Sequence, residues 1–417
     1  MRGKRLLLGL AILIALVLTS CAGLPGLAPR EPVTIRYLYT DTGADLETLA
    51  EAFQSQHSNI TIELVRVNDI WGVMRSYKAL GQGADAVRLP AGAAGSADPQ
   101  FFLPLDSLIS TDRDFPHDDL FPGSLDGLRR DGKQIAIPAG INPFVVYYNV
   151  DKFNQRGVQP PDPRWAIEDF VNAANAVNNT DESFRGTDEF VYGYCSYPQL
   201  ADSIILSFVF GGNVVDNVYQ PTRPTLNDPQ NVISLEWYAG LKHNLGIMYT
   251  AIDGRDLGMV VNAGQCGFWM DWLNRSMVGN FGDFKAAPLP LPLYNTPFTI
   301  AEIDGYSIMS DTEHPDEAWQ WITFLMEQEA ASGNMIPPLR SQVEQDSYAV
   351  RVTPEVRALA RSLPEQTFIM GIDLMRDDRF GKILELYFTA TQMVLQGEAD
   401  PQTALDMAQQ EAAASFR

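Results

Sequence analysis

The chain has 417 residues, 46% of them hydrophobic and 20% charged, a globular composition long enough for two domains with cores of their own. Its 52 acidic residues outnumber 30 basic ones, and a net charge of −22 makes nucleic acid and anionic membrane surfaces poor partners. After the first twenty residues no long apolar run occurs, so no transmembrane helix is expected.

The N-terminus opens with Arg2, Lys4 and Arg5, followed by an apolar stretch from Leu6 to Thr19. That is the length of a signal-peptide core and short of the roughly 20 residues that span a bilayer. It ends in Leu18-Thr19-Ser20-Cys21, which resembles a bacterial lipobox. The resemblance implies cleavage before Cys21, acylation of that cysteine, and a membrane anchor of several chains, each buried methylene adding about 0.8 kcal/mol. An ordinary secretory leader with an incidental cysteine is the alternative. Residues 1–20 are then a leader, and 21–32, rich in Gly, Pro and Ala, a tether. The chain is expected to work outside the cytoplasmic membrane, on the periplasmic side or at the cell surface.

Val33–Tyr39 reads as a strand, Asp45–His57 as a helix with Leu46, Leu49, Ala50 and Phe53 on one face, and Ile60–Val67 as a second strand. This strand–helix–strand rhythm predicts a parallel sheet with crossover helices. Ala84–Leu89 is a further strand ending in a loop of small residues at 90–96, and Phe101–Leu108 starts a short helix. Gly132–Pro138 and Val145–Asn149 read as two strands, with a turn of helix from Asp151. Helices are predicted over Trp165–Val177 and Asn231–Leu245, a strand over Gln265–Met270, and a helix from His314 through Glu327. Helices over Ile383–Leu395 and Pro401–Ala414 close the chain.

Cys195 and Cys266 are the only cysteines after Cys21, and in an oxidising compartment they either pair or remain two buried thiols. His57, His117, His243 and His314 show no metal-ligand spacing, so neither a metal nor a cofactor is expected. Asp112, Asp114, Asp118 and Asp119 lack the spacing and the Gly of a calcium loop and read as solvated surface. No G-x-S-x-G or H-E-x-x-H stretch is present, and a carboxylate pair can be nominated in any acidic protein. A secreted carbohydrate-active enzyme is therefore a remote alternative, and the chain is read as a binding protein.

"GADAVRLP", "FLPLDSLI", "GKQIAIPAGINPFVVYYNVDKFNQRGVQPP", "FVFGGNVVDN", "NDPQNVISLEWYAGL", "HPDEAWQWITFLM" and "VLQGEADPQTALDMAQQE" follow one another in an order that resembles the family-1 extracellular solute-binding proteins of ABC importers. The resemblance covers essentially the whole mature chain. It implies an α/β protein of the two-lobed periplasmic-binding-protein fold, type II-like, each lobe a mostly parallel sheet flanked by helices. One lobe comprises 33–140 with 305–335, the other 141–304 with 336–417. The three interlobe crossings fall near Gly140–Phe144, Ile300–Asp304 and Met335–Arg340. It further implies a monomer that captures a small-molecule solute and hands it to the transmembrane subunits of an ABC permease. Clefts between domains, at the carboxyl ends of strands, are where such folds bind ligands.

A sugar or oligosaccharide needs flat aromatic faces for its rings and planar polar groups for its hydroxyls. At the positions the resemblance marks, the sequence offers Thr40 and Asp41 after the first strand, Asn142 and Phe144 in the first crossing, and Tyr197 with Gln199 in a lobe-two loop. Trp269, Asp271 and Trp272 end a strand, Glu302, Asp304 and Tyr306 lie at the second crossing, and Arg340 follows the third. Each has a structural alternative: Trp269 and Trp71 as core, Asp41 as a helix cap, Asn142 as a backbone partner, Arg340 as a surface ion pair. The loop at 90–96 lacks the acidic residue that sugar-binding relatives often carry there, which leaves room for a larger oligosaccharide or for a polyamine, polyol phosphate or peptide.

Overall fold

The computed structural model describes residues 31–80, 83–90, 98–196, 201–217, 221–250, 252, 256–274, 281–295, 297–363, 368–369 and 378–416. Cys21, the loop at 91–96 and Tyr197 with Gln199 lie outside the described residues.

Strand β1 (Val33–Tyr39) pairs in parallel with β2 (Ile60–Arg66) and with β3 (Ala86–Leu89). The crossover between β1 and β2 contains the helix Leu46–Gln56, which buries Leu46, Ala50 and Phe53 as their spacing requires. Asp45 caps it, its carboxylate accepting from the Thr48 N–H at 3.0 Å. The helix expected over Phe101–Leu108 is displaced to Asp106–Thr111, behind a single 3-10 turn at Pro99–Phe101. Pro104 explains the shift, because a proline drives the residue before it into extended backbone.

A small hairpin of β4 (Arg129–Arg130) and β5 (Lys133–Gln134) turns at Asp131 and Gly132, both at positive φ, as tight hairpins require. The two strands read between Gly132 and Asn149 are largely one: β6 (Ile137–Asn149) runs for 13 fully buried residues. The remaining strands are β7 (Tyr192–Cys195), β8 (Met248–Tyr249), β9 (Cys266–Trp272), β10 (Ala286–Leu289), β11 (Ile300–Ile308) and β12 (Phe368–Ile369).

The strand order β2-β1-β3-β11-β6-β9-β7-β8 is continuous through the molecule. The outer pairs β1–β2, β1–β3, β7–β9 and β7–β8 are parallel, and the central pairs β3–β11, β11–β6 and β6–β9 are antiparallel. Each of the two lobes is thus a parallel outer sheet joined to an antiparallel spine, an α/β fold with helices on its faces. The first half of β6 pairs with β11 and its second half with β9 and β10. Ile141 pairs with Ile303 of β11 and also exchanges two backbone hydrogen bonds with Ile336, at 2.8 and 2.9 Å. Gly140 lets this third segment in: a Cβ there would stand 2.9 Å from both Cβ and Sδ of Met335.

One core gathers Phe153, Trp165, Phe170, Tyr194 and Phe268, and another centres on Tyr37, Phe53, Trp321 and Leu325. Cys195 and Cys266, both fully buried, are disulfide-bonded across a sequence separation of 71 residues. Constraining a loop of that length in the unfolded chain stabilises by about 2–4 kcal/mol. The C195S/C266S double variant is expected to lose stability of that order in denaturant unfolding. An unchanged midpoint would mean that the bond does not form in the protein.

Candidate functional site

Period-two alternation along two facing strands lays out the site. On β11, Glu302 and Asp304 share a face, and across the ladder they stand opposite Asn142 and Gly140 of β6. A β-bulge follows at Asp304/Gly305, so the strand re-aims beyond the carboxylates. Tyr306 then pairs with Arg88 of β3.

Arg88 is 1% exposed and fully engaged. Its Nε donates to Asp304 at 3.1 Å, and Nη1 to the Ala331 carbonyl at 2.7 Å and Thr42 Oγ1 at 3.4 Å. Nη2 donates to the Ser332 carbonyl at 3.3 Å and to Met335 Sδ at 3.6 Å. Burial alone would lower the guanidinium pKa, but the Asp304 carboxylate and the Tyr306 and Tyr37 phenols hold it above its ordinary value.

Asn142 is the second organiser. Its Oδ1 accepts from the Asn274 N–H at 2.9 Å, linking the spine to the segment after β9. That leaves its amide NH₂ as the donor to Glu302, with which it hydrogen-bonds. Burial, reinforced by Asp304 and opposed by the Asn142 hydrogen bond, pushes the Glu302 carboxyl up to about 6.

These groups floor a cavity of about 270 Å³ lined by Thr40, Asp41, Thr42, Arg88, Pro90, Asn274, Glu302, Asp304, Asn334 and Met335. It lies at the carboxyl ends of β1 and β3, against the central strands, where an α/β fold offers a ligand crevice. Amide, hydroxyl and carboxylate groups dominate it, a set that can exchange hydrogen bonds with a hydroxyl-rich molecule. Among the described residues no group of His, Cys, Asp and Glu is arranged to hold a metal.

Of the sequence-derived candidates, Thr40, Asp41, Glu302 and Asp304 line the cavity, and Asn142 stands behind it as a partner of two lining residues. Asp41 is not a helix cap: it is exposed, accepts from Gly43 N–H at 3.1 Å and pairs with Arg66 at 2.6 Å. Trp269 is no ligand platform, being 1% exposed, stacked on Tyr147 at 5.6 Å and edge-on to Phe281. Phe144 and Tyr306 are likewise core, at 1% and 0% exposure. Trp272 is half-buried and meets Phe144 edge-on at 5.1 Å, and Asp271 accepts from the Trp272 N–H at 2.8 Å. Neither lines the cavity. Arg340 lies elsewhere, donating to the Asp118 carbonyl in a separate hollow with Phe121, Glu344 and Arg361. Trp71 packs edge-on against Phe102 in the helix Ile70–Leu80.

Sequence reasoning missed Thr42, Arg88, Pro90, Asn274, Asn334 and Met335. Arg88 carried a signal: it is a lone cation inside the otherwise apolar strand of "GADAVRLP".

Glu302 makes its own prediction. Its pKa is higher in the folded than in the unfolded chain, so the native state is penalised as pH rises from about 4.5 to about 6 and above. E302Q is expected to exceed the parent in stability by about 1–2 kcal/mol above pH 6.5, with the gap closing below pH 4.5. Denaturant unfolding at pH 4 and pH 7.5 measures this, and a pH-independent difference would contradict the burial of that carboxylate.

The family model for bacterial extracellular solute-binding proteins matches residues 38–332. A mannitol-binding protein of Pseudomonas aeruginosa is 24% identical over 288 residues, which is 64% of this chain and 60% of that protein, so the match spans less than two thirds of the relative. The ABC substrate-binding protein of Listeria monocytogenes in complex with cycloalternan superposes with a TM-score of 0.71 at 19% identity, covering 93% of this chain and 99% of that one. The cyclic α-maltosyl-1,6-maltose binding protein of Arthrobacter globiformis does so with a TM-score of 0.73 at 17% identity, covering 92% and 99%. With the model match running through both lobes, the chain belongs to the bacterial extracellular solute-binding protein family.

Proposed function

We propose that the protein is the substrate-capture component of an ABC importer and takes a sugar or polyol into the cleft between its lobes. The observation that carries this reading is the polar floor built by Arg88, Asn142, Glu302 and Asp304, contributed by β3, β6 and β11 together. A cavity of about 270 Å³ suits a sugar ring or a linear polyol. The sugar- and polyol-binding proteins to which the chain is similar support the same ligand class. The lobes we assign are 33–140 with 305–335, and 141–304 with 336–417, which fits the exchange of β11 for β9 as the partner of β6 after Pro143. They close on the solute by hinge motion, and the closed monomer docks on the permease subunits. The solute leaves chemically unchanged, since no step of this reading makes or breaks a bond.

Cys21 is the anchor in this reading, holding the chain on the outer face of the cytoplasmic membrane after leader cleavage. The Cys195–Cys266 disulfide suits an oxidising, extracytoplasmic setting.

A thermal-shift screen of leaderless protein against hexoses, hexitols and maltooligosaccharides, with amino acids and short peptides alongside, tests capture. A ligand at one hundred times its Kd stabilises the native state by about 2.7 kcal/mol, so a saturable rise in Tm is expected with one series. A response confined to amino acids or peptides would discard the sugar and polyol class. For the anchor, the full chain is expected in the membrane pellet and C21S in the soluble extracytoplasmic fraction. C21S that still pellets would refute lipidation at that position.

A further inference from the structure

Charge at the cavity floor is uneven, and the unevenness is specific. Arg88 is the one cation among the described residues lining the cavity. All five of its N–H groups are engaged by Asp304, Thr42, Ala331, Ser332 and Met335, and Asp304 balances its charge. An anionic solute reaching the floor would find the Arg88 guanidinium already engaged. At the rim, Asp41 is balanced by Arg66.

Glu302 has no such balance. It bonds to the neutral Asn142 amide, and among the described residues no cation pairs with it. Asn142 of β6 stands opposite it, Asp304 lies on its own strand, and Thr40, Asp41, Thr42, Arg88, Asn274 and Asn334 line the same cavity. Hydroxyls of a neutral solute can donate to the Glu302 carboxylate and accept from the Asn274 and Asn334 amides and the threonine hydroxyls. A phosphate or carboxylate would instead bring a second negative charge beside Glu302 in a poorly solvated floor whose one described cation, Arg88, is already paired with Asp304. A polyamine would need an acceptor for each ammonium, where the floor offers one unbalanced carboxylate.

We infer that the cleft admits neutral polyhydroxylated solutes and excludes phosphorylated and carboxylated ones, and that Glu302 is the residue that enforces the exclusion. This rests on the reading of the cleft as the solute site and adds the charge class of the solute and the group that sets it.

The test is calorimetric titration of leaderless protein at pH 7.5 with matched pairs: mannitol and mannitol 1-phosphate, glucose and glucose 1-phosphate, maltose and maltose 1-phosphate, with spermidine alongside. One neutral member is expected to bind, and its phosphorylated counterpart to bind about 100-fold more weakly. E302Q, checked for folding by its Tm, is expected to bind the neutral member about 10-fold more weakly and to narrow the discrimination to less than about 10-fold. A phosphorylated member that binds as tightly as its neutral partner, or spermidine that binds best, overturns the charge selection and leaves solute capture standing. Discrimination unchanged in E302Q overturns the role of Glu302. Silence towards every probe overturns the capture of sugars and polyols itself, and the selection with it.

Discussion

The buried contact between Arg88 and Asp304 is the constraint around which the centre of this molecule is arranged. A guanidinium out of water is tolerable only when its charge is matched and each N–H has an acceptor. Meeting that demand brings together β3, β11, the turn after β1 and the carbonyls at Ala331 and Ser332. A buried pair of this kind adds little net stability compared with apolar packing, but losing one partner leaves a stranded charge. Its consequence here is therefore positional. Any displacement of β11 along β3, or of the 331–335 segment away from both, breaks several hydrogen bonds at once. Gly140 completes the arrangement by leaving no Cβ where Met335 must sit.

With the floor held that way, the charged groups Arg88, Glu302 and Asp304 rest on strands, where side chains are most rigidly held, while loops supply the rest of the lining. Asn142 shows how closely support and contact are coupled. One of its amide atoms is fixed by the Asn274 backbone and the other addresses Glu302, so a single side chain sets the orientation of two lining groups. The raised pKa of Glu302 marks the opposite tendency, a carboxylate kept where solvation is poor and, among the described residues, no cation pairs with it. Arg88 and Glu302 are thus contrasting cases on one floor: the first is matched by a carboxylate and carbonyls, the second by a neutral amide.

Much of the architecture was legible because it follows from periodicity. The alternation at Val33–Tyr39 and Ile60–Arg66 and the helical spacing at Leu46–Gln56 report local burial, and local burial is what the folded chain repeats. Order of motifs supplied the family. The site was legible only in part, for a physical reason. Glu302, Asp304 and Asn142 announce themselves as polar residues in apolar strands, a costly placement that needs a cause. Trp269 misled because an aromatic at a strand end looks the same whether it faces solute or Tyr147, and only the neighbouring Phe281 decides. Asn274 and Asn334 carry no local signal, since they reach the cavity through pairings with residues more than a hundred positions away.

The same topology governs when the protein can fold. β3 finds its inner neighbour in β11, and Arg88 waits for Asp304, 216 positions further along the chain. The sheet begun first therefore cannot be completed as it emerges, because it lacks an inner strand until three quarters of the polypeptide exists. Loop closure over such distances makes collapse into the native form slow relative to local structure. A chain built in this way keeps the inner edge of β3 without its neighbour through most of synthesis, and the arrival of β11 is what closes it.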